Sequence, residues 1–131
     1  MKTRRRVLGD AHVNRAEAAK TDFDAPFQAL ITDAAWGHVW ARDTIPLRER
    51  SLITIALLAA LGNDGELVLH LRATRNTGVT RDEVKEILMQ AAVYAGIPAG
   101  VEAFRLALPD LPDCVLRIAG GVETGAEECA A

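Results

Sequence analysis

Aromatic residues are scarce in this chain: three phenylalanines, two tryptophans and one tyrosine among 131 residues. Any ring-lined site must therefore be built around Trp36 and Trp40. Cysteine is rarer still, with only Cys114 and Cys129, both near the C-terminal end. They read as reduced thiols. There is no Cys-x-x-Cys pair, no His-Glu-x-x-His and no glycine-rich loop after a strand, so metal, nicotinamide and nucleotide sites lack a motif. Ser51 has no nucleophile elbow around it, which leaves hydrolysis through an activated serine unsupported. The longest apolar run, 52–61, is interrupted by Thr54 and falls short of the roughly 20 residues that cross a bilayer. Lys2, Arg4, Arg5 and Arg6 lead into Val7-Leu8-Gly9-Asp10 rather than an apolar stretch, so no secretory leader is expected and the compartment reads as the cytoplasm. A net charge of −3 offers no electrostatic grip on nucleic acid. The four basic residues themselves read as a solvated terminal segment.

What is present is helical. The chain is 50% hydrophobic and 25% charged, a globular composition with room for one domain. A first helix is expected over 11–19, with Asp10 as a possible cap. Asp24 is expected to cap a second, with Pro26 in its first turn and Phe27, Leu30, Ile31, Ala34 and Ala35 at helical spacing. That helix runs towards Trp40, with Gly37 as the expected kink or break. Pro46 opens an apolar helix over 47–61 that Gly62 ends, and Asn63 or Asp64 starts the next, over 65–76, which Gly78 closes. Thr80-Arg81-Asp82-Glu83 is a capping box for a helix to Tyr94, stopped by Gly96. Pro98 begins a last helix through Leu108, and Pro109 and Pro112 end it. The expected architecture is an all-α, single-domain bundle of about six helices over 1–112. Residues 113–131 read as a partly disordered C-terminal extension. The helix over 47–61 is apolar nearly all round, which a chain of this size cannot bury alone; an oligomer is therefore expected.

Two groups of residues could carry chemistry. Glu66 and His70 stand four apart in Gly65-Glu66-Leu67-Val68-Leu69-His70, on one helical face. A carboxylate there could hold the imidazole in one tautomer, raise its basicity and let it move a proton near neutral pH. The competing reading is a surface ion pair, opposed by the apolar Leu67, Val68, Leu69 and Leu71 around it. The second group is Trp36, Trp40, Arg42 and Arg50: aromatic walls with guanidinium forks suited to a planar organic anion. Its competitor is a tryptophan staple in the core with arginines reaching along the surface. His12 and His38 show no partner in the sequence and read as structural or exposed.

Taken together, several blocks resemble the carboxymuconolactone decarboxylase family. They include Val7-Leu8-Gly9-Asp10-Ala11-His12-Val13, Ala35-Trp36-Gly37 with Trp40 and Arg42, and Arg50-Ser51-Leu52 through Leu61-Gly62. Glu66-Leu67 with His70, Arg72 and Ala73 follows, then Gly78-Val79-Thr80-Arg81-Asp82-Glu83 and Tyr94-Ala95-Gly96-Ile97-Pro98-Ala99. The likeness covers roughly 1–108 in order. It implies the helical fold shared with alkyl hydroperoxidase D, assembled as a homo-oligomer, a trimer or hexamer. It implies conversion of 4-carboxymuconolactone to 3-oxoadipate enol-lactone in protocatechuate catabolism, a decarboxylation without metal or organic cofactor. On this resemblance His70 and Glu66 are the catalytic residues, and Arg42, Arg50 and Trp40 bind the substrate. The thiol-redox relatives carry cysteines where Asn63 and Glu66 stand here, which excludes a thiol peroxidase mechanism. A same-fold enzyme acting on another small acid, and a non-catalytic helical scaffold, remain the alternatives.

Overall fold

In a computed structural model that describes residues 1–111, the chain folds as helices alone, with no strand among the described residues. They are α1 (Lys2–Leu8), α2 (Asp10–Ala18), α3 (Ala25–Ile31), α4 (Leu47–Leu61), α5 (Asp64–Thr77), α6 (Arg81–Ala95) and α7 (Ile97–Asp110). Between α3 and α4, residues Thr32–Trp40 wind as a π-helix that continues α3. The expected C-terminal extension, 113–131, lies outside the described residues, as do both cysteines.

The local signals for α4 to α6 act as expected. Pro46 precedes α4, and Gly62 ends it in the left-handed region at φ +69°, where a side chain would be strained. Gly78 does the same for α5 at φ +77°. The capping box of α6 is complete: the Glu83 amide donates to Thr80 Oγ1 at 3.2 Å, and the Thr80 amide donates to Glu83 Oε2 at 2.9 Å.

Elsewhere tertiary structure overrides the local reading. The basic start is helical and docked, not solvated: Arg4 is 4% exposed and Val7 fully buried. Gly37 does not break its helix: the wider i→i+5 winding of Thr32–Trp40 continues through it. Asp24 precedes α3 but its carboxylate turns backward, accepting from the Thr21 amide and hydroxyl at 2.7 and 2.6 Å. Pro109 lies within the last turn of α7 rather than ending the helix before it. Only one helical residue follows, so the proline's missing N–H removes a single terminal bond.

Two cores result. The larger lies among α4, α5, α6 and α7 and contains Ile55, Leu67, Leu71, Val84, Leu88 and Ala103. Helices α6 and α7 approach so closely that a Cβ on Gly100 would stand 2.4 Å from that of Ala92. The smaller core joins Val7 of α1, Trp36 and Trp40 of the π-helix and Ala73 of α5, with Leu8, Ala35 and Leu47 packed against it. Helix α5 is the wall between them: Leu67 and Leu71 face the large core, and Ala73 the small one. The all-round apolar helix is buried on one side only within a single chain, through Ser51, Ile55 and Ala59. Ile53, Leu57 and Leu61 of the same helix remain exposed.

Candidate active site

His70 sits on α5 one turn before Ala73 and is turned into the small core, where 6% of it is exposed. The π-helix lays both indoles against it. The Trp40 ring centroid stands 5.9 Å from the imidazole with 19° between planes, and that of Trp36 stands 6.4 Å away at 11°. The two indoles are 5.0 Å apart and tilted by 30°. His70 Nδ1 is buried without a hydrogen-bond partner. A buried polar atom left unpaired is uncommon and marks a place where a ligand or water is to be received. Burial pushes the imidazolium down to about 4, and the charge of nearby His12 adds to the effect. At neutral pH the group is therefore an uncharged imidazole in an aromatic slot.

The expected Glu66–His70 pair does not form. Glu66 is exposed and makes no hydrogen bond to His70, and the basicity of the imidazole is lowered rather than raised. Helical spacing brings the two Cα positions onto one face, but the aromatic slot draws the imidazole inward while the carboxylate stays in water. Glu66 instead acts on His12, whose half-buried imidazole it helps to keep protonated, against burial and the charges of Arg15 and Arg4. The net effect holds the His12 imidazole below its ordinary value, with burial the largest cause. His38 is exposed, in keeping with one of the two readings made for it.

Of the tryptophan–arginine group, Trp36 and Trp40 are brought together with His70 and buried. Arg50 lies one turn after Leu47, which packs on the indoles; its Nη2 donates to the Arg42 carbonyl at 3.3 Å and its Nε is buried without a partner. The Arg42 backbone thereby joins the end of the π-helix to α4, while its side chain is exposed. Both competing readings hold in part: the indoles are a core staple, and they also wall the imidazole.

One contributor was hidden in the sequence. Arg4 donates through Nη1 to Thr32 Oγ1 at 3.3 Å and through Nη2 to Gln28 Oε1 at 3.2 Å, and lies 3.5 Å from Glu17. It clamps the start of the π-helix to α1 and so orients the indoles. Its signal was the helical spacing of Arg4, Val7 and Leu8, masked by the basic residues between them. Among the described residues no group of three or more His, Cys, Asp or Glu is placed to hold a metal ion. A separate hollow of about 260 Å³, lined by Val84, Leu88, Phe104, Ala107 and Leu111 among others, shares no residue with the His70 group.

Residues 25–108 match the carboxymuconolactone decarboxylase family, and the chain belongs to it. It is 48% identical over 107 residues to the 4-carboxymuconolactone decarboxylase of Acinetobacter baylyi, covering 82% of this chain and 80% of that one. It is 40% identical over 115 residues to a nitrosuccinic acid decarboxylase of Metarhizium robertsii, covering 88% and 80% respectively. A shorter match, 51% over 37 residues, is to a 4-carboxymuconolactone decarboxylase of Pseudomonas putida and covers 28% of this chain and 77% of that one.

Proposed function

We propose that the protein is a cytoplasmic, homo-oligomeric carboxy-lyase that converts 4-carboxymuconolactone to 3-oxoadipate enol-lactone without a cofactor. The observation that carries the reading is the buried, unpartnered imidazole of His70 against two indoles, in a chain so similar to a decarboxylase of that lactone. When CO₂ leaves, the electron pair passes through the ring double bond to the lactone carbonyl, so the substrate supplies its own electron sink. The protein must seat two carboxylates, stabilise the developing oxyanion and protonate a ring carbon. His70 faces the carbon and delivers the proton. Trp40 forms a wall beside it, and Arg50 and Arg42 take the anionic groups; donors already in place of this kind supply about 3 kcal/mol each. A bound dianion also raises the proton affinity of the His70 imidazole, offsetting the burial that leaves it neutral in the free protein.

Large exposed apolar side chains support the oligomer, a trimer or hexamer: Phe23 is 96% exposed, Tyr94 83% and Leu61 71%. No helix among the described residues is long and apolar enough to cross a membrane. The deciding experiment is turnover of purified 4-carboxymuconolactone followed by ultraviolet absorbance, with nitrosuccinic acid as a second substrate because the second relative is named for it. Loss of CO₂ from the lactone supports the reading; turnover of nitrosuccinic acid alone reassigns the substrate, and turnover of neither refutes it. His70→Gln abolishes activity while leaving assembly intact, and Arg50→Ala raises KM about 10-fold or more, as expected for one charge-assisted contact.

A further inference from the structure

The two acids of the turnover test share one fragment. In each, the carbon that loses CO₂ is joined to an electron acceptor, the conjugated lactone in one and a nitro group in the other. Beside it each acid carries a CH₂–COO⁻ arm that is kept. We propose that this acceptor-substituted succinate is the recognised unit, that Arg50 holds the carboxylate of the retained arm, and that the departing carboxylate lies against the indoles with no cation on it. This rests on the decarboxylase reading above and deepens it to a substrate class.

Arg50 is anchored, and its charge is unspent. Its Nη2 donates to the Arg42 carbonyl at 3.3 Å, and the Arg42 amide donates to the Val39 carbonyl at 3.2 Å. The guanidinium is thereby tied to the end of the π-helix that carries both indoles. Leu47, one turn before it on α4, packs on the core that holds those indoles, and the Trp40 ring stands 5.9 Å from the His70 imidazole. Other arginines are matched by carboxylates: Arg48 lies 3.4 Å from Glu49 and also pairs with Glu83, and Arg4 lies 3.5 Å from Glu17. Arg50 pairs with no carboxylate among the described residues, and its Nε is buried without an acceptor. A buried donor left unpaired is uncommon, and a carboxylate is the acceptor that a guanidinium binds best.

The chemistry decides which carboxylate that is. The arm keeps its full charge from substrate to product, so a cation on it binds reactant and transition state alike and shows in KM. The departing carboxylate gives its charge up, and a cation there stabilises the reactant more than the transition state. An aromatic face carries no such penalty, and Trp36 and Trp40, 7% and 9% exposed, supply one beside His70. The step balances: the bond to the departing carboxylate breaks, its electron pair enters the acceptor, and CO₂ leaves. One proton, taken up from water with the dianion, passes through His70 to carbon, and a monoanion departs with its arm intact.

The test uses the full chain, with turnover read above the spontaneous rate. The parent decarboxylates both the lactone and nitrosuccinic acid. It handles 2-nitropropanoic acid, which keeps the acceptor and the departing carboxylate but lacks the arm, about 10- to 100-fold less well in kcat/KM, the worth of one charge-assisted contact. Arg50→Gln loses a similar factor on nitrosuccinic acid, in KM, and leaves 2-nitropropanoic acid unchanged; Arg50→Lys recovers part of the loss. A preference for nitrosuccinic acid that survives Arg50→Gln at full size overturns the assignment. Inhibition by the two monoesters of nitrosuccinic acid gives a second readout, in the parent alone. The ester at the departing carboxylate, which cannot lose CO₂, binds about 10-fold or more tighter than the ester at the arm. The reverse order places Arg50 on the departing carboxylate and overturns the proposal. Turnover of one acid without the other refutes the shared fragment and leaves a decarboxylase specific for that acid; turnover of neither refutes both readings.

Discussion

Acidification tests the burial of His70 directly. An imidazole whose folded-state value lies near 4, against an ordinary 6.5, binds fewer protons folded than unfolded between those limits. Stability must therefore rise with pH across that window: it is fully present above 6.5 and is lost as pH falls towards 4. At 1.36 kcal/mol per pH unit the interval corresponds to about 3 kcal/mol, most of it gone by pH 4.5. That is a sizeable part of the roughly 5–15 kcal/mol by which small domains are stable. The assay is urea unfolding at fixed protein concentration from pH 4.5 to 8, for the parent and for His70→Gln, which keeps a polar side chain of similar reach but does not titrate. The two stabilities should run parallel above pH 6.5 and diverge below it, with the parent falling faster. Parallel curves throughout would refute the burial of an uncharged imidazole.

Three further outcomes are expected. Gly100→Ala places a methyl 2.4 Å from the Ala92 Cβ, so α7 must shift from α6 and stability drops by about 1–3 kcal/mol in thermal or urea unfolding. Thr80→Ala removes one half of the capping box and costs about 1 kcal/mol, read as a lower urea midpoint with an unchanged slope. Arg4→Met leaves Gln28 and Thr32 without their donor and frees the start of the π-helix, costing about 1–3 kcal/mol and altering the near-ultraviolet circular dichroism of the paired indoles; an unchanged spectrum would show that Arg4 does not orient them.

What could be read along the chain was whatever depends on neighbours within one turn. Pro46 before α4, glycines at 62 and 78 after α4 and α5, and the reciprocal Thr80–Glu83 bonds are local requirements of backbone geometry, and they fell where the residues placed them. The family blocks were equally legible, because many short matches in order are more specific than any one. The one-face spacing of Glu66 and His70 was also sound as far as it went. Spacing along a helix does not say which side chain faces the interior, and that was decided by what packs against α5. Two indoles on a π-helix made an apolar slot for the imidazole, while the carboxylate kept its hydration. The burial of Arg4 comes from docking a corner near the start of the chain onto a helix more than 50 residues later. No local preference encodes such a contact: it is set by burial of Val7 and Val13 and by one asparagine bond across the fold. The helices were thus written in the sequence, and the electrostatics of the site arose from how they pack.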